Sequence, residues 1–321
     1  MPERTEIYVQ HQQLCNFLTK TSDDERILQG IWVDCYYKQL PYTTDPRAKQ
    51  GLVYKVTSTS DIWEGNPCIP SDEDRWISGV YPSPLPLGCD IETTPYLLSE
   101  SPFNPESILL IFASWEHHEE DLKLLNLLLH TSVQIFTSHE WFNVIAVVPM
   151  HNRGYKVAVA FELSNYVVAF LTKDHIFHIR WANELSDLPS RSAHDVIYDW
   201  NGFLGGVAEW IEQRRRPRCA TDGSAFKAIH GASCFPGLGV YFLSEVFNAC
   251  GFDISLPESA ILSSPSRQAR LCLGFRATAM NLQDHIWPSV ARFFYGFKVG
   301  VERADRLRYT NFLKVYGKNL V

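Results

Sequence analysis

Most signatures that would name an activity outright are missing from this chain. No G-x-S-x-G elbow, no G-x-x-x-x-G-K-[ST] phosphate loop and no G-x-G-x-x-G fingerprint occurs. Hydrolases of the nucleophile-elbow type, P-loop nucleotide hydrolases and simple dinucleotide binders are thereby disfavoured. The eight cysteines lie at 15, 35, 68, 89, 219, 234, 250 and 272. None forms a C-x-x-C pair, which excludes thiolate zinc clusters of finger spacing. No apolar run reaches the roughly 18 residues of a membrane span. The start, MPERTEIYVQHQQLC, lacks the basic-then-apolar pattern of a secretory signal, and no Asn begins an N-x-[ST] acceptor. These absences predict a cytoplasmic or nuclear protein with reduced cysteines, no membrane partner, no metal and no cofactor.

Present in the chain is ordinary globular composition: 45% hydrophobic and 20% charged residues over 321 positions, enough for about two domains. The net charge of −7 is unevenly placed. Residues 1–213 carry 14 Lys+Arg against 29 Asp+Glu, and residues 214–321 carry 15 against 7. The basic part opens with Arg214, Arg215, Arg216 and Arg218. Such asymmetry suits a polyanion partner or docking of the two parts on each other.

Patterning predicts three regions. Residues 1–105 hold a helix near Glu6–Leu18, a strand at 31–37 (IWVDCYY), and a proline-bearing stretch from 60 to 105 that reads as irregular chain. Residues 106–213 form the expected α+β core. SILLIFA (107–113) reads as a buried strand, and Ser114 as the cap of a helix through WEHHEEDLKLLNLLLH. NVIAVVP (143–149) reads as a second strand. The segments at 155–163, 166–172 and 175–181 read as an antiparallel meander joined by short turns. Val196–Ile211 then shows one wide apolar face carrying Trp200 and Trp210, with Ser192 as its cap. Residues 214–321 suggest strands at Gly239–Leu243 and Leu271–Arg276, and a helix with Pro288 in its first turn. The predicted fold is α+β: a mainly antiparallel sheet with flanking helices, a loop-rich N-terminal part and a basic C-terminal part.

Chemistry-bearing clusters are few. HHEED (117–121) sets His117 and Asp121 at i, i+4, half of a metal site, and reads more simply as a solvated first helical turn. His175 and His178 alternate across a strand and cannot share one metal. HGASCFPGLG (230–239) brings His230, Ser233 and Cys234 into a glycine-rich loop, where His230 and Cys234 are a candidate thiolate–imidazole pair. In 290–318, Arg306, Arg308 and Lys314 interleave with aromatic residues, a composition suited to stacking bases and tracking phosphates. The alternative there is an amphipathic helix or hairpin.

Two resemblances attach to these residues. His230-Gly231 followed by GVYF (239–242), Ser244 and Ala249 resembles ADP-ribosyltransferases, which implies NAD binding with His230 and Tyr241 at the site; the gap between those two is shorter than usual in that family. WFNVIAVVP, YKVAVAFEL, YVVAFL and the helix DVIYDWNGFLGGVAEWIE resemble the SUKH superfamily, which implies a non-enzymatic module that grips partner proteins. The reading taken from the sequence is an intracellular, regulatory or interaction protein acting by protein binding. The alternatives are an enzyme using His230, Cys234 and Tyr241, and a single-stranded nucleic-acid binder using Arg214, Arg215, Arg216, Arg218, Arg306, Arg308 and Lys314.

Overall fold

A computed structural model describes residues 4–34, 47, 50–56, 96–104, 107–114, 122–127, 131–173, 178–182, 194–215, 223–290, 292–294, 297–300 and 302–315. Helix α1 (Arg4–Lys20) leads into ten strands. These are β1 (Leu28–Val33), β2 (Tyr54–Val56), β3 (Tyr96–Glu100), β4 (Phe103–Asn104), β5 (Ser107–Ser114), β6 (Leu122–Leu127), β7 (Thr131–Thr137), β8 (Lys156–Leu163), β9 (Tyr166–Thr172) and β10 (His178–Ala182). They form two antiparallel sheets, ordered β2-β1-β8-β9-β7 and β10-β6-β5-β3, with β4 pairing β5. Inward side chains such as Ile31, Leu110, Phe112, Phe161 and Phe170 are fully or almost fully buried in one cluster that includes Ile7, Leu14 and Phe17 of α1. Alternation along each strand places one face on that core, which is how a sandwich buries apolar surface on both sheets.

The second lobe is helical: α2 (Trp200–Arg214), α3 (Ala225–His230), α4 (Val240–Ala249), α5 (Glu258–Leu262), α6 (Pro265–Asn281) and α7 (Trp287–Val290). A hairpin of β11 (Arg292–Phe294) and β12 (Lys298–Gly300) follows, then α8 (Arg303–Phe312). Its separate core is built on Phe203, Phe242, Leu243, Phe247 and Phe275. The architecture is α+β, with antiparallel sheets and flanking helices, as expected.

Several local expectations are overturned. LKLLNL is strand β6, and not the helix expected to follow Ser114. It pairs on both sides, Leu124 facing Leu110 of β5 and Trp181 of β10. A ladder with two partners outweighs leucine's weak helical preference. Residues 115–121, including HHEED, lie outside the described residues, as do Ser192, His175 and most of the proline-bearing stretch. NVIAVVP forms no strand. Thr137 and Glu140 make a capping box, with Thr137 Oγ1 accepting from the Glu140 N–H, and the chain then turns through Trp141–Ile145. The strand of this region is β7, just upstream. The β8–β9 hairpin turns at Ser164-Asn165 as expected, but β9 goes on to pair β7, and β10 joins the other sheet, so the meander is broken. Val240–Leu243 and Leu271–Arg276 are helical, in α4 and α6, with Gly239 the extended N-cap of α4. Ser264 caps α6 and Pro265 opens it, a start signal stronger than the β-branched and aromatic content inside. Asp199, accepting from the Gly202 N–H at 3.1 Å, caps α2. Phe203, Val207 and Ile211 are its buried face, while Trp200 and Trp210 are only partly buried.

Candidate functional site

The two lobes meet at the first turn of α1. Arg4 is fully buried. Its Nε donates to Asp195 Oδ2 at 2.7 Å and its Nη2 to Asp195 Oδ1 at 3.1 Å and to Gln283 Oε1 at 3.2 Å. The guanidinium lies 5.1 Å from the Phe103 ring and 5.9 Å from the Tyr198 ring. The Arg4 backbone N–H donates to Gly237 O at 2.9 Å. Gly237 has φ +65°, a backbone state that a side chain would strain, so the loop can turn here and present that carbonyl. Asp195 also accepts from the N–H groups of Ile197 and Tyr198. A buried charge demands such partners, and here Arg4 Nε and Nη2 are engaged while Nη1 is buried without one.

Beyond this knot, α1 forms one wall of a cleft of about 620 Å³. Glu6, Gln10 and Gln13 come from α1, Thr131–Gln134 from the edge strand β7, Leu171–Lys173 from the end of β9, and Trp287 from the helical lobe; Tyr155 closes one side. The wall is held rigidly. Gln10 Oε1 accepts from the Val133 N–H at 2.8 Å, which caps the exposed edge of the sheet, and Gln13 Nε2 donates to Phe297 O at 2.7 Å. Burial pushes the Tyr155 phenol up, partly opposed by the nearby Arg153. The cleft thus offers a carboxylate (Glu6) and an ammonium (Lys173) from the sandwich lobe and an aromatic surface (Trp287) from the helical lobe. That combination can grip a charged, ring-bearing ligand and move a proton at it.

A second, smaller cavity of about 320 Å³ lies against α2, between His194, Glu209, Trp210 and Cys234. Here the candidate nucleophile meets its correction. Burial pushes the Cys234 thiol up to about 12, so it is a packed thiol and no thiolate is available. His230 ends α3, and Tyr241 stands in the first turn of helix α4, half exposed. Neither lines this cavity. The His-Gly strand and G-x-Y-F strand of an ADP-ribosyltransferase are both absent at these positions, which are helical or turn. Among the described residues no group of three or more potential metal ligands occurs, and no helix is long and apolar enough to cross a membrane.

The basic candidates divide. Arg214 pairs with buried Glu258, Nε to Oε1 at 2.5 Å and Nη2 to Oε2 at 2.6 Å, and Arg215 Nε donates to Leu262 O at 3.0 Å. Both guanidinium groups thus serve the helical lobe itself. Arg216 and Arg218 lie outside the described residues, as does the Arg306 side chain. Arg308 and Lys314 are exposed on and after α8. Tyr309 of that helix packs on Trp287 with ring centroids 5.5 Å apart, which sets α8 beside the cleft's aromatic wall. Sequence reasoning missed Arg4, Glu6, Lys173, Asp195 and Trp287. The available sign was the uncharged polar strip Gln10-Gln12-Gln13 on α1, which fits neither a core face nor a charged solvent face.

No protein-family model and no curated protein matches the sequence. Solved structures do match. A complex of wild-type Lactococcus lactis Fpg (MutM) with DNA containing an oxidised pyrimidine has a TM-score of 0.56 at 12% identity, covering 99% of this chain and 89% of that one. A point mutant of LlFpg with DNA containing THF gives 0.58 at 12% identity, and inhibited LlFpg with N7-benzyl-Fapy-dG DNA gives 0.57 at 11%, with the same coverage. These matches overturn the SUKH-like reading and with it the expectation of a non-enzymatic, regulatory protein-binding module. The strands and amphipathic helix that suggested it belong to separate lobes of a different architecture. Across nearly its whole length, the chain has the fold of the Fpg DNA glycosylase.

Proposed function

We propose that this protein is a DNA-repair enzyme of glycosylase type, which holds damaged duplex DNA across the cleft between its lobes. The observation that supports the reading is the extent of the fold likeness, which covers 99% of the chain and so includes both lobes. Glu6 supplies a carboxylate for proton transfer, Lys173 a cation for a phosphate, and Trp287 a face for stacking. Arg308 on α8, ion-paired with Asp305, and Lys314 just after that helix add two exposed cations. Arg214 and Arg215 remain structural in this scheme, because their partners are inside the lobe.

The test uses the full-length protein and three duplexes of one sequence: undamaged, with a THF abasic analogue, and with an oxidised pyrimidine. Fluorescence anisotropy should show tighter binding to both lesion duplexes, with an affinity that falls steeply with salt. Incubation with the oxidised-pyrimidine duplex should release the base or nick the strand, read on a denaturing gel. Equal affinity for all three duplexes and an intact strand would refute the proposal.

A further inference from the structure

Two residues that line the cleft each carry a buried polar atom with no partner. The Thr131 hydroxyl is buried, in a residue only 6% exposed, and makes no hydrogen bond. The Trp287 indole N–H is likewise buried and unpaired. Both residues line the same cleft, from opposite lobes. The other polar walls differ: the Gln10 and Gln13 amides are already engaged, as described above. Buried donors are almost always paired, because an unmet one costs free energy while an apolar isostere would not. Valine and phenylalanine would fill these two positions without that cost.

We propose that Thr131 and Trp287 are recognition donors for an oxygen acceptor of the bound DNA. Indole N–H can only donate, and the threonine hydroxyl can donate, so the shared complement is an oxygen with free lone pairs. A ring carbonyl of the lesion base and a phosphate oxygen both meet that description. Trp287 is already oriented by its packing on Tyr309, and Thr131 by the β7–β9 ladder opposite Thr172. Both atoms are shielded from water, so a ligand oxygen reaches them only once the Thr131 and Trp287 side chains rotate toward the cleft. The assignment rests on the DNA-repair reading above.

Thr131→Val and Trp287→Phe test it in the full-length protein, with thermal melting beside anisotropy on undamaged, THF and thymine-glycol duplexes. Each variant should melt at or above the wild-type temperature and bind roughly tenfold more weakly, the scale of one lost hydrogen bond. Loss confined to the thymine-glycol duplex identifies a base carbonyl, and equal loss on all three identifies a phosphate. Variants that bind as wild type, or that melt several degrees lower, overturn the assignment. If the wild type prefers lesions and the variants match it, only this assignment fails. If the wild type binds none of the duplexes, both it and the DNA-repair reading fail.

Discussion

The sandwich and the helical lobe solve the same problem with different materials. The sandwich core is held by long antiparallel registers, such as the seven residue pairs linking β7 to β9, with aliphatic and phenyl side chains filling between them. In the helical lobe α3, α5 and α7 have only 6, 5 and 4 residues, too short to be stable alone. There the order comes from interlocking rings. Phe275 lies 5.5 Å from Phe203, 5.9 Å from Phe235 and 5.3 Å from Phe242, and Phe247 packs on Phe226 and Phe252. A backbone ladder tolerates small changes of side-chain volume, whereas a core of interdigitated rings and thiols does not.

That contrast breaks most visibly at Phe275. Phe275→Ala should cost about 3–5 kcal/mol. Hydrogen exchange should then show α2, α4 and α6 losing protection while β8 and β9 keep theirs. Equal loss in both lobes would mean one cooperative unit and would end the comparison. A finer test uses two glycines. A Cβ on Gly274 would collide with the Cys250 sulfur in the packed core, whereas one on Gly30 would meet the movable end of the Lys55 side chain. Gly274→Ala should therefore cost about 1–3 kcal/mol, partly recovered by adding Cys250→Ala, and Gly30→Ala should cost clearly less in urea unfolding. Similar costs at the two sites would contradict the difference in tolerance.

The thiols sharpen the same point at lower energy. Burial pushes Cys250 and Cys272 up to about 11, beside Cys234 at about 12. At pH 8 these three should take up iodoacetamide only as the helical lobe opens, as followed by peptide mass mapping; rapid labelling of the native protein would argue against a tight core. The smallest effect is expected at Asp199. The Gly202 N–H and then His194 hold its carboxyl below the usual 3.8. A depressed folded-state value means stability present above 3.8 and lost as the pH falls through that depressed value. Asp199→Ala should lower the melting temperature slightly at pH 7, and the gap to wild type should close in strong acid. A gap that widens on acidification would be inconsistent with this.

How legible each lobe was follows from the same contrast. The β8–β9 hairpin could be read because its period of two and its Ser164-Asn165 turn are local signals. Helix α4 was mistaken for a strand because VYF at its start is β-branched and aromatic, and only packing of Phe242, Leu243 and Val246 into the ring cluster makes it helical. Leu122–Leu127 failed for the opposite reason: leucine is a helix former, and its strand character comes from two partners in β5 and β10. The candidate site was the least legible part. Glu6, Thr131, Lys173 and Trp287 are distant in sequence: α1 packing on the sheets gathers the first three, and only the meeting of the two lobes adds Trp287.

The Arg4 knot also bears on how the chain is made. Its partners Asp195 and Gln283 lie 191 and 279 residues downstream. At synthesis rates of roughly 5–20 residues per second, the arginine emerges tens of seconds before the last of them exists. The apolar face of α1 can pack on the sandwich and the charge can pair with Asp195 before then, so Gln283 is the contact that comes late. The seam on which the cleft depends therefore waits on late residues, and a nascent chain stalled before Gln283 carries the Arg4 knot without one of its partners.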